Sequence, residues 1–186
     1  MISLPALWLP ILLSAVLVFV ASSLIHMAFK WHNADYHSLP NEDEVREVIR
    51  KASPAPGMYV LPHCSDMKEM GSEAMQKKYS EGPIGMLFLK ASGSPKIGPA
   101  LVQWFIFSVG VSLFAAYIAS RTLGLTPHYL QVFRIIGTLS FVAYSAGAFP
   151  AAIWMGQPWK AALKDMADGL IYALLTAGTF GWLWPH

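Results

Sequence analysis

Charge is what this 186-residue chain has least of, and the shortage is uneven. Only 13% of its residues are Asp, Glu, Lys or Arg, against about 25% in an average soluble domain. Nine of the 11 acidic residues and nine of the 13 basic ones fall between Lys30 and Lys96. From Ile2 to Phe29 there are none. A helix that is apolar all round has no face for water, so this stretch does not read as the surface of a soluble domain. Inside lipid it satisfies its own backbone as a helix, and about 20 apolar residues suffice to cross.

Other shortages exclude other classes. A single cysteine, Cys64, rules out an intrachain disulfide, and a lone thiol suits a cytoplasmic face. A net charge of +2 with no basic stripe gives no case for nucleic-acid binding. There is no CxxC, no HExxH and no closed set of four metal ligands. No internal repeat relates the halves, which weakens a transporter reading built on inverted repeats. The motifs resemble no characterised family. The general type is a small bacterial inner-membrane protein with four helices and one elaborated loop.

What is there reads as four transmembrane helices. Helix 1 runs to Phe29 with Pro5 at its start, Pro10 as a possible kink, and Trp8 and Trp31 at aromatic-belt positions. The run is too long for a signal-peptide core of roughly 7–15 residues, so it reads as a retained helix. Helix 2 covers 97–120, with Ser108, Ser112, Ala116 and Ser120 forming a small-residue face for close helix approach. Helix 3 covers 132–155. Its small face is Ala143, Gly147 and Ala151, beside Ser140, Tyr144 and Ala148, and Pro150 inside it predicts a kink or break. Helix 4 covers 158–184, with Lys160, Lys164, Asp165 and Asp168 in its first turns and Trp182 and Trp184 at the far end.

The loop, 30–96, reads helix, strand, helix, strand. Asn41 is placed to cap a helix with Glu44 reaching back, and Val45, Val48, Ile49 and Ala52 form its apolar stripe. Glu42–Arg46 and Glu47–Lys51 are spaced to pair. Met58–Leu61 reads as a short buried strand, Asp66 begins a second helix ending at Gly82-Pro83, and Ile84–Leu89 is the other strand. A crossover helix would allow the strands to lie parallel. So thin a core predicts support from the membrane helices or a partner. The expected class is thus an all-α integral membrane protein with a small α/β unit between helices 1 and 2. Its divisions are 1–29, 30–96 and 97–186.

Lys and Arg near the membrane ends number five on the loop side (Lys30, Lys90, Lys96, Lys160, Lys164) and two opposite (Arg121, Arg134). The positive-inside rule then places both termini outside and 30–96 in the cytoplasm.

Four constellations are candidates for chemistry. His63, Cys64 and Met67, beside Asp66, Glu69 and Met70, offer soft ligands for copper or zinc, or else a cap and the apolar face of a loop helix. Neighbours in extended chain point to opposite sides, so His63 is poorly placed to activate Cys64, and no catalytic set emerges. His26, His32, Asp35 and His37 follow the exit of helix 1. On one continuous helix they cannot converge, and they read as interfacial polar groups. Lys164, Asp165 and Asp168 are ionisable residues in a span, with Lys164 and Asp168 spaced to pair. They read as a proton or cation path, or as groups at headgroup depth. Gln103, Ser108, Ser112, Ser140, Tyr144 and Thr176 are polar groups between helices.

The function expected from these features is structural: an accessory subunit or assembly factor, with the bilayer and other membrane subunits or a second copy as partners, and not an enzyme. The alternatives are a metal- or ligand-binding protein using the His63–Cys64 loop, and an ion- or proton-conducting protein using Asp165 and Asp168.

Overall fold

A computed structural model describes residues 2–185. The chain is mostly helical, and three helices are long and apolar enough to cross a membrane: Leu4–Phe29, Ile97–Thr122 and Tyr129–Trp154. The chain divides into two units. One is His37–Pro95 with Ile153–Gly156, and the other holds the long helices.

In the helical unit, a 3-10 turn over Leu4–Leu7 leads into α1, Trp8–Ser23. Pro10 sits at the third position of α1 and is buried there. The first four N–H groups of a helix have no internal partner, so the missing donor costs little and the helix runs on regularly. α4 covers Ile97–Thr122 and buries Ser108, Ser112, Ala116 and Ser120, the small face expected of it. α5 begins at Tyr129, three residues before the expected start. The reason is a cap: the Leu130 N–H donates to His128 Nδ1 and the His128 N–H donates to Gln131 Oε1. α5 ends at Ser145, and α6, Ala148–Trp154, follows. The break lies at Ala146–Gly147, where the ring of Pro150 would oppose the carbonyl of Ala146 four residues back. α7 covers Trp159–Trp182.

α1 packs on α4 and α7, and α5 packs on the same two, closing a ring of four helices. The small face expected of the third span is corrected. Ala143 and Gly147 are exposed, whereas Ser140, Ser145 and Ala148 are buried. Glycines on this interface decide which face turns inward. A Cβ on Gly169 of α7 would overlap Ser145 Oγ and come within 3.3 Å of Ser145 Cβ, and one on Gly137 would lie 3.3 Å from Ala177 Cβ. Near the start of α1 and the end of α7 the core is apolar: Leu7, Ile11, Ile136, Phe180 and Trp184 are buried together.

In the loop unit, α2 covers Glu42–Ala52, β1 Gly57–Leu61, α3 Glu73–Glu81 and β2 Gly85–Leu89. Several expectations change here. The strands pair antiparallel, Gly57 opposite Leu89 and Leu61 opposite Gly85. A parallel pair needs a crossover helix lying on the sheet. α3 instead packs chiefly on the 3-10 turn before it, Glu69–Gly71. β1 is not buried: Met58 is 70% exposed. Asn41 ends up at the N-cap of α2 without a side-chain cap bond, so no capping box forms with Glu44. Arg46 pairs with Asp43 at 3.2 Å rather than with Glu42, while the Glu47–Lys51 pair is present at 2.9 Å. Asp66 does not start α3. It accepts from the Lys68 N–H in a turn, and Ser72 caps α3 by accepting from the Met75 N–H.

Candidate metal centre between the first and last helices

The site is built by the way the first span ends. After α1 the helix widens to a π-helix over Leu24–Phe29, with His26 inside it. Such turns are uncommon and often sit at functional positions. Lys30 then adopts the left-handed conformation, φ 53°, and a 3-10 turn runs over Trp31–Asp35. The left-handed residue reverses the chain. His32 therefore stacks back on His26, with ring centroids 4.8 Å apart and planes inclined by 25°. The expectation that these two histidines diverge rested on a continuous helix, and it is corrected here.

α7 supplies the other half. Its first turns bring Lys164, Asp165 and Asp168 against the reversed segment. His32 Nε2 is 2.8 Å from Asp168 Oδ2, and His26 Nε2 is 3.5 Å from the same oxygen. Across the ring, His32 Nδ1 lies 3.3 Å from Asp35 Oδ2 and 3.9 Å from Asp165 Oδ1. Lys164 does not pair with Asp168. Its ammonium donates to Asp35 Oδ1 at 2.7 Å and to the Trp31 carbonyl at 2.9 Å. Gln157 donates to Asp165 Oδ2 at 2.6 Å. The hydrogen bond from Lys164 holds the Asp35 carboxyl below its ordinary value of 3.8. Asp35 is then charged at neutral pH, and what its depressed value contributes to stability is lost only as pH falls through that value.

Asp168 is 3% exposed, and its Oδ1 has no hydrogen-bond partner. A buried carboxylate is costly unless it is paired and bonded. The charge count makes the same point. Three carboxylates, Asp35, Asp165 and Asp168, gather around His32, and among the described residues Lys164 is the cation paired with one of them, Asp35. Asp165 is 43% exposed and keeps its solvent, which leaves Asp168 as the buried carboxylate with no Lys or Arg partner. A divalent cation would balance it.

Part of the geometry matches such a cation: the spacing of the ligand atoms does, while the stacked rings would have to turn to bring both imidazole lone pairs onto one ion. Among the described residues, His26, His32 and Asp168 are the group of metal-ligating side chains whose ligand atoms all lie within 4.8 Å of one another. Tetrahedral Zn–N and Zn–O bonds near 2.0–2.1 Å place ligand atoms roughly 3.3 Å apart, and the two contacts to Asp168 Oδ2 bracket that spacing. Two imidazoles and a carboxylate are ligands for zinc or a first-row divalent ion. A carboxylate at Nδ1, as Asp35 is at His32, is the kind of partner that fixes the tautomer of a histidine when it ligates a metal.

The other candidates are placed elsewhere. Cys64 donates to the Asp66 carbonyl at 3.0 Å in an exposed turn, with His63 and Met67 exposed beside it. His37 belongs to the loop unit, not to this centre. Between the helices, Ser14 and Ser112 share a hydrogen bond of 2.9 Å, and Tyr144 and Tyr172 meet edge to face at 5.5 Å. Comparison with known protein families, with curated proteins and with solved structures finds no match for this chain.

Proposed function

We propose that this is a membrane protein of four spans that binds a divalent transition-metal ion through His26, His32 and Asp168. The observation that carries the reading is Asp168: a buried carboxylate with one orphaned oxygen, facing two imidazole nitrogens and backed by more negative charge than Lys164 offsets. In this reading α7 serves as the fourth span, its charges gathered at one end, in a bacterial inner membrane, and the Lys/Arg distribution supports a cytoplasmic side for that end. Asp35 and Asp165 flank His32 Nδ1 behind the ligands, and Lys164 holds Asp35. The experiment is metal analysis of protein purified in mild detergent, followed by Co²⁺ titration. The expected result is one ion per chain, lost in Asp168→Asn and His32→Ala and kept in Cys64→Ala. Loss in Cys64→Ala alone would move the metal to His63, Cys64 and Met67, and no stoichiometric binding would overturn the reading.

A second reading, an accessory subunit, draws on the loop unit. Met58 and Phe88 face each other across the ribbon and are 70% and 55% exposed. Native mass spectrometry of the protein from its own membranes tests it: added protein mass supports the reading, and a bare chain counts against it. Conduction by way of Asp165 and Asp168 would have to pass Leu7, Ile136 and Phe180, all fully buried.

A further inference from the structure

A centre with three protein ligands keeps a position open for something else, and one of the three side chains also borders a groove. Of the three ligands, His26 alone is exposed, and it forms one wall of a groove of about 230 Å³. The other walls are Ser22, Ser23, Met27, Leu101 and Trp104. These residues belong to Leu4–Phe29 and Ile97–Thr122, two of the helices apolar enough to span a bilayer. In the four-span arrangement proposed above, the groove lies between two spans.

Its polar groups are already engaged. Ser22 Oγ donates to the Phe19 carbonyl and accepts from Trp104 Nε1, and Ser23 Oγ also donates to Phe19. No hydroxyl or indole hydrogen of the lining is left for an acceptor, so the His26 edge is the contact that remains for an oxygen head, and the rest of the surface is largely apolar. A water-borne ligand would find one contact and lose its hydration elsewhere. A molecule with an apolar chain and one oxygen-donor head matches both parts.

We infer that the His26–His32–Asp168 centre takes its exogenous ligand from the bilayer, as a single-chain amphiphile whose oxygen head completes the metal coordination while its chain lies along Met27, Leu101 and Trp104. This rests on the metal reading above.

The test is Co²⁺-loaded protein in phosphatidylcholine nanodiscs, with oleate or acetate added and the cobalt absorption bands recorded. Oleate is expected to shift the bands at a concentration at least tenfold below acetate. Leu101→Trp, which fills the groove without replacing a metal ligand, is expected to remove that advantage and leave the acetate response. Met27→Trp is the second variant should the first fail to load Co²⁺. An equal oleate response in wild type and a loaded groove-filled variant overturns the inference while the metal centre stands. Failure of the wild type to bind Co²⁺ overturns both.

Discussion

The two ends of the helical unit are built on opposite principles. Toward the start of α1 and the end of α7, Leu7, Ile136, Phe180 and Trp184 close the interior with apolar side chains. At the end of the first span and the start of α7, the same two stretches of chain bury Asp168 and gather Asp35, Asp165, Lys164 and two histidines. Helices in lipid gain nothing from apolar burial against lipid tails, and dense packing holds them together. The apolar end is what such packing looks like when nothing else is asked of it. The charged end pays in desolvation for gathering three carboxylates around two imidazoles, with Lys164 paired to one of them.

The largest effect expected is at the apolar end. Phe180→Ala leaves a cavity where the ring was, and large-to-small changes at such sites cost about 3 kcal/mol. Unfolding in mixed micelles followed by circular dichroism should show a drop of that order, with Co²⁺ affinity unchanged. A matching loss of affinity would mean that the two ends are one cooperative unit, and the contrast would fail.

Asp168→Leu makes the charged end resemble the apolar one. Apolar replacement of buried ionic groups is often neutral or stabilising by about 1–4 kcal/mol. The metal-free variant should therefore unfold no more easily than the wild type while its Co²⁺ affinity falls by more than about 100-fold, or roughly 2.7 kcal/mol. A large loss of stability without metal would show that Asp168 is a structural ion pair with His32. The geometry of the centre would then be explained without a cation.

Asp35→Asn probes the outer shell. The amide keeps the shape and removes the charge beside His32 Nδ1. Loss of such a partner typically lowers metal affinity 10–100-fold. Titration with Co²⁺ should find a decrease in that range, smaller than for Asp168→Leu. No change would place Asp35 in the service of Lys164 alone.

The same contrast explains what the amino-acid sequence discloses. Apolar runs report spans directly, because the constraint acts on composition: Ile97–Thr122 was legible to within two residues. Pro150 announced the break in the third span, because a missing N–H acts locally. Asp165 and Asp168 stood out as charges in an apolar context. Their partners did not. His26 and His32 converge only because a π-helix and a left-handed Lys30 end the span, and no glycine marks that position. Asp168 meets His32 across 136 residues, a distance that local spacing cannot bridge. Local spacing also misled where a nearer partner won. Lys164 takes Asp35 instead of Asp168, and Arg46 takes Asp43 instead of Glu42. The ribbon shows the same limit, since strand content was readable but strand direction depended on where α3 packs.

The smallest effect expected separates neutral polarity from charge. Ser14 and Ser112 are wholly buried and joined at 2.9 Å, and Ser14 also donates to the Ile11 carbonyl in its own helix. Hydrogen bonds between membrane helices average about 0.6 kcal/mol, because the separated helices find other partners in their own backbones. Ser112→Ala should therefore cost about 0.6 kcal/mol in the same unfolding assay and leave Co²⁺ binding untouched. Ser14 has a fallback in Ile11, so the double variant should add little to either single one. Asp168 shows no such fallback: its Oδ1 is buried without a hydrogen-bond partner. A cost for Ser112→Ala well above 1 kcal/mol would put the serine pair among the determinants of the bundle. The polar interior would then be structural along its length, not only where it meets the histidines.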